Sequence, residues 1–152
     1  MAPFVHRRRV TYAEVDQQGV VFNGHWLAYF DDAMTRFVDW LGFPPKDLFF
    51  STFDVMVVKA TLEWQGPAGF DDEVDIAVVP TRLGNASFDL TYRAAVDGRP
   101  VCVGTITYVS VRPGSAEAVP IPADVRTKLE AAATASVLDR EGNTRPKPAR
   151  HD

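Results

Sequence analysis

The stretch from Tyr12 to Gly42, YAEVDQQGVVFNGHWLAYFDDAMTRFVDWLG, constrains the chain most, because it holds one long amphipathic segment that has to bury a broad face. Apolar side chains recur at Trp26, Leu27, Phe30, Ala33, Met34, Phe37, Val38 and Leu41. That is the i, i+3, i+4, i+7 spacing of a helix with a wide core-facing stripe. Asn23 is a good N-cap type, so the helix is expected to begin there, and Gly42 followed by Pro44 stops it. Asp31, Asp32, Thr35, Arg36 and Asp39 fill the polar side, with Asp32 and Arg36 spaced for an i, i+4 ion pair. Ahead of the helix a loop carries Glu14 and Asp16, with Gly19 as its turn residue.

Beyond Gly42 the period changes. Pro44-Pro45 opens a linker, and Leu48-Phe49-Phe50-Ser51-Thr52-Phe53 concentrates phenylalanines suited to core packing or to lining an apolar pocket. Met56, Val58, Ala60, Leu62 and Trp64 then alternate with polar or smaller residues, as in a strand with one face on a core. Gly66-Pro67-Ala68-Gly69 breaks that strand. A further strand runs from Glu73 to Thr81, the next turn falls at Arg82 to Asn85, and Phe88, Leu90, Tyr92, Ala94 and Val96 alternate most clearly of all. Asp97-Gly98 is a tight-hairpin signal, with a return strand from Val101 to Val111. At the N-terminus, Phe4 to Tyr12 reads as a strand whose Arg7-Arg8-Arg9 cluster suits a solvated sheet edge.

One long helix followed by antiparallel strands, with no βαβ alternation, makes the chain α+β. A curved antiparallel sheet wrapped around the central helix buries both apolar surfaces. Pro122 and an alanine-rich run to Leu138 predict a terminal helix on the outside, which makes residues 1–138 a single domain. The charged segment 139–152 is expected to be a mobile tail.

Charge and composition remove several classes of function. A net charge of -4 opposes nucleic-acid binding, which needs a positive surface field. No apolar run approaches the roughly 20 residues of a membrane span. Cys102 is the single cysteine, so no internal disulfide can form and a cytoplasmic setting is expected; the thiol itself reads as small, partly buried and inert. His6, His25 and His151 lack metal-ligand spacing. Nucleophile-elbow, phosphate-loop and dinucleotide fingerprints are all absent.

What remains is the loop and the helix start. Open amides at a helix N-terminus attract developing negative charge, and the Asp16 carboxylate lies seven residues before Asn23. That combination is half of an acyl-transfer site. The order Y-x-E-x-D-x-x-G-V-V-F-N-x-x-W-L-x-Y-F resembles the signature of the 4-hydroxybenzoyl-CoA thioesterase family of hotdog-fold proteins. Likeness extends over residues 6–130, through Gly69 to Val74, Arg82 to Ser87, Asp97-Gly98 and Val119 to Pro122.

The resemblance implies a hotdog fold and an acyl-CoA thioesterase without metal or redox cofactor. It assigns Asp16 as nucleophile or general base and the backbone N–H of Asn23 as oxyanion donor. Gly19, Gly24 and His25 become candidate substrate contacts, and Lys59, Arg82 and Ser87 candidate coenzyme A contacts. It further implies a homodimer or homotetramer with sites at subunit interfaces. A carrier-protein-linked acyl group is the competing substrate, and a non-catalytic acyl-CoA-binding protein the competing class. Glu14 stands where the family commonly has aspartate, Asn23 where histidine or an aromatic is frequent, and His25 where asparagine is frequent. Such departures at the helix start bear on the acyl group accepted.

Overall fold

A computed structural model describes residues 3–48 and 53–142. Strand β1 (Phe4–Arg9) leads through a 3-10 turn (Tyr12–Glu14) into the central helix α1 (His25–Trp40), followed by a short helix α2 (Pro45–Leu48). Strands β2 (Asp54–Trp64), β3 (Glu73–Leu83), β4 (Ser87–Val96) and β5 (Arg99–Val111) come next, and α3 (Ala123–Gly142) ends the chain. The five strands form one antiparallel sheet in the order β1-β3-β4-β5-β2. Helix α1 lies on one face of it, the sheet-and-helix arrangement expected from the sequence.

Alternation decides what lies beneath the helix. Val74, Ile76 and Val78 of β3, Phe88, Leu90, Tyr92, Ala94 and Val96 of β4, and Cys102, Ile106 and Tyr108 of β5 are buried with Trp26, Tyr29, Phe30, Ala33, Met34, Phe37 and Val38 of α1. Phe30 stacks on Tyr92 with ring centroids 4.8 Å apart. Gly104 lies under the same ring: a Cβ there would stand 2.6 Å from Phe30 Cε2, so only glycine lets the helix approach this closely. The Asp97-Gly98 hairpin turns with both φ positive, 49° and 77°, as its sequence demands.

Several expectations need correction. Tyr29, not Leu27, belongs to the buried stripe of α1: Tyr29 is 0% exposed and Leu27 46%. The helical period places position 29 directly after Trp26 on the same face, with position 27 off to the side. Asp32 and Arg36 do not pair; Asp32 meets His6 at 2.9 Å and Arg36 meets Asp39 at 3.6 Å. Strand β1 stops at Arg9, three residues before the expected Tyr12, because the chain turns into the 3-10 segment. Its arginines divide by strand alternation: Arg7 and Arg9 pair with Asp75 and Glu73 along the edge, while Arg8 turns to the helix side.

The largest difference concerns β2. Its alternation predicted one face on a core, yet β2 is an edge strand paired only with β5, and Met56, Val57, Val58 and Trp64 are all about half exposed. Alternation reveals which residues share a face but not what covers it. Helix α3 is also more deeply involved than expected. Val125, Leu129 and Ala132 are buried in the main core, and the helix continues to Gly142, past the predicted boundary at 138. Residues 143–152 of the predicted tail, and Phe49 to Thr52 of the phenylalanine cluster, lie outside the described residues. Leu48 and Phe53 are core, and Phe53 stacks on Phe88.

Candidate active site

The loop before α1 is a small hairpin. Glu14 accepts the Phe22 amide at 3.0 Å, Val15 bridges Val21, and the Asp16 amide donates to Val20 O at 2.9 Å. Gly19 closes the tip with φ 78°, donating to Asp16 O at 2.9 Å. A side chain at Gly19 would be strained by that dihedral alone. The hairpin is pinned to the segment between β2 and β3 by the Val21 amide on Ala68 O and by the Val20–Gly69 bridge.

Asp16 is therefore an exposed carboxylate at the tip of a fixed hairpin. Its Oδ1 accepts the Gln18 amide at 2.8 Å, and no described residue occupies Oδ2. Asp16 lies opposite Val20 and Asn23 follows Phe22 at the hairpin's base, so carboxylate and helix start are separated by about three strand residues, roughly 10 Å along the hairpin.

Helix α1 does not start as predicted. Gly24, with φ -66° and ψ -23°, is the N-cap, and neither it nor Asn23 caps through a side chain. The His25 amide instead donates to Phe22 O at 2.9 Å and the Trp26 amide to Asn23 O at 3.3 Å, a 3-10-type entry that satisfies those donors with backbone carbonyls. Among the described residues, the amides of Asn23 and Gly24 donate to no other backbone group. Two open N–H donors thus sit where the helix dipole favours negative charge. His25 is in the first turn, its ring edge-on to Phe22 at 5.9 Å.

The structure brings Asp16, Gly19, Asn23, Gly24 and His25 to one end of the molecule. It gathers Lys59, Arg82 and Ser87 elsewhere. Lys59 pairs across the sheet with Thr107, Thr107 with Asp89, and Asp89 with Arg82. Arg82 bonds both Ser87 Oγ at 3.0 Å and Asp89. This row lies at the C-terminal end of β3, whereas the Asp16 hairpin adjoins the segment that enters its N-terminal end. Nine residues of β3, from Glu73 to Thr81, about 30 Å, lie between them.

Sequence reading missed two participants around Glu14. Its Oε1 receives the Thr11 amide at 2.8 Å and the Tyr29 hydroxyl at 2.9 Å, and its Oε2 receives Arg8 at 2.6 Å. Glu14 is thus a structural carboxylate, held by three partners. The Arg8 guanidinium also stacks 3.8 Å from the Tyr29 ring centroid. The one available signal was a tyrosine at a core position of the helical stripe, since a buried hydroxyl needs a partner.

Burial pushes the Glu14 carboxyl up, but the Thr11 amide, the Tyr29 hydroxyl and the Arg8 charge outweigh it and leave the group below its ordinary range. The same balance holds at Asp89, where burial is overcome by Arg82 and Thr107. Carboxylates depressed in the folded state contribute stability above the unfolded pKa and lose it as pH falls through the folded one. Glu14→Gln and Asp89→Asn are expected to flatten the loss of stability on acidification below about pH 4, measured as urea midpoints against pH. Cys102, by contrast, is fully buried where a partly buried thiol was expected, and burial pushes that thiol up to about 11, which disfavours the reactive thiolate. Among the described residues no group of side chains could hold a metal ion, and no helix is long and apolar enough to cross a membrane.

Residues 10–129 match the model of the thioesterase-like superfamily. A 1,4-dihydroxy-2-naphthoyl-CoA hydrolase of Synechococcus elongatus is 23% identical over 86% of this chain and 97% of its own. The acyl-CoA thioester hydrolase YbgC of Escherichia coli is 29% identical over 56% of this chain and 63% of its own. Among solved structures, a gentisyl-coenzyme A thioesterase superposes with a TM-score of 0.76 at 29% identity, covering 82% of this chain and 98% of that one.

Proposed function

We propose, from the premise that this chain belongs to the thioesterase-like superfamily of hotdog-fold thioester hydrolases, that it cleaves an acyl-CoA into a carboxylic acid and free coenzyme A at the Asp16 hairpin. One observation carries this reading: a carboxylate with a free oxygen stands across a rigid hairpin from two open amides at a helix start. The thioester oxygen accepts the amide of Asn23, assisted by Gly24, and the carbonyl carbon faces Asp16. Asp16 then either attacks that carbon or removes a proton from the attacking water. Charge that grows on oxygen in the transition state meets donors already in place, which costs no reorganisation. Gly19 and His25 border the acyl group. When Asp16 attacks, the C–S bond breaks as a mixed anhydride forms on it, and water then cleaves that anhydride; when it acts as base, water adds to the carbonyl directly and the C–S bond breaks. Either way the thiolate leaves and takes up a proton that water gives up.

Among the described residues, an apolar cavity lies away from this site. The apolar cavity between α1, α2 and α3 measures about 10 Å³, barely one water, and lies at the far end of the helix. Exposed Leu27 on α1 and the half-exposed apolar residues of β2 mark where a second copy would complete the wall. The proposed assembly is a homodimer, or a homotetramer built from it. In that assembly the row of Lys59, Arg82 and Ser87 holds the nucleotide end of a coenzyme A whose thioester reacts at the partner's hairpin. Val58→Arg, at an exposed position, is expected to leave the fold intact, give a monomer by sedimentation and lose turnover. An active wild-type monomer would contradict the shared pocket.

Thiol release from a panel of aliphatic and aromatic acyl-CoAs, with an acyl carrier protein thioester in parallel, tests the reading. Relatives named for 1,4-dihydroxy-2-naphthoyl-CoA and gentisyl-CoA place aromatic acyl groups first in that panel. Turnover of acyl-CoA is the expected result. Turnover confined to the carrier protein would change the substrate, and binding without release would make the chain a non-catalytic acyl-CoA-binding protein.

A further inference from the structure

Glu14 is tied to both halves of the proposed site. Its carbonyl oxygen holds the Phe22 amide at 3.0 Å, one residue before the Asn23 donor, and it precedes Asp16 by two residues on the other arm of the hairpin. Its side chain, 17% exposed, is held from three directions. The Thr11 amide fixes it to the turn, the Tyr29 hydroxyl to α1, and Arg8 to β1. Arg8 is itself confined, stacked on the Tyr29 ring and 3.9 Å from Asp32, which also meets His6.

A solvated surface pair contributes little and needs no such enclosure. Here an ion pair and a buried hydroxyl converge where the strand, the turn and the helix meet. The consequence is geometric. Asp16 sits on a tip that would pivot about its base, and the base is what Glu14 immobilises against α1, the element that carries the amide donors. A misplacement of about 1 Å between reacting groups can cost on the order of 10²-fold in rate.

We propose that Glu14, gripped by Tyr29 and Arg8, is a positioning residue that sets the distance between the Asp16 carboxylate and the amides at the start of α1. The proposal rests on the reading of Asp16 as the reacting carboxylate. Glu14 touches no substrate and acts only through that distance. Tyr29→Phe removes a single hydrogen bond and keeps the ring under Arg8. Glu14→Gln keeps an oxygen for Thr11 and Tyr29 but turns an amide donor toward Arg8.

The test is a double-mutant cycle on the acyl-CoA that the wild type hydrolyses fastest. Each of Tyr29→Phe and Glu14→Gln is expected to lower kcat about 10-fold with KM nearly unchanged, and to cost almost nothing further in an Asp16→Asn background. Melting temperatures of the single variants report folding, and either variant suffices if the other fails to fold. Three results overturn the proposal. Full kcat in both single variants, with Asp16→Asn impaired, removes the positioning role and leaves the Asp16 reading standing. An equal loss in both backgrounds shows that Glu14 acts elsewhere. Wild-type turnover in Asp16→Asn itself removes the Asp16 reading and the proposal with it.

Discussion

Asp16→Asn is expected to lower turnover by about 10²-fold or more, the low end of what a positioned acid-base group supplies, while melting temperature and acyl-CoA binding stay near wild type. The exchange preserves size and the ability to accept the Gln18 amide at Oδ1, so the hairpin tip keeps its shape. What it removes is the negative charge needed to attack the carbonyl or to take a proton from water. Asp16 is exposed and remote from the core, which is why folding should not notice. Asn23→Ser is the matching control. Neither Asn23 nor Gly24 caps α1 through a side chain, and the donors in question belong to the backbone, so much of the activity should survive that change. A steady-state comparison of kcat and KM for the two variants separates charge from architecture.

Phe30→Ala is expected to destabilise the fold by about 3–5 kcal/mol, on the order of 10 °C in Tm for a chain of this length. Phe30 is 0% exposed, stacks on Tyr92 and has Trp26 at 6.1 Å on its other side. Beneath it Gly104 supplies no side chain that could move in and fill the space. The loss is therefore the transfer of a whole ring plus an unrelaxed cavity between helix and sheet. Thermal unfolding followed by circular dichroism measures it, and an unchanged Tm would mean that the ring does not bridge α1 to the sheet.

These two substitutions also mark what the sequence disclosed and what it withheld. Phe30 was legible because helical periodicity is local and strong, and Phe88 to Val96 were legible because strand alternation is too. Asp16 and Gly19 stood out because the order of residues around them resembles a family signature; their spacing to the helix start alone is that of an ordinary loop. Glu14 did not, because its partners Arg8 and Tyr29 come from a strand and a helix turn whose meeting depends on tertiary packing. The helix start shifted from Asn23 to Gly24 because backbone carbonyls of Phe22 and Asn23 took the role a side-chain cap would have had. The β2 strand misled for a related reason. Its alternation is real, but β2 is an edge strand beyond those that bury side chains under the helix, and both of its faces stay largely exposed. Lys59, Arg82 and Ser87 did converge, yet at the end of the sheet away from Asp16, a separation no motif encodes.

The most direct measurement is a crystal structure of the protein with a non-hydrolysable ketone analogue of the acyl-CoA it turns over fastest. The account predicts the analogue's carbonyl oxygen within about 3.1 Å of the Asn23 or Gly24 amide, with the Asp16 carboxylate facing the carbonyl carbon directly or through one water. A carbonyl bound away from the start of α1, with Asp16 left in solvent, would contradict it.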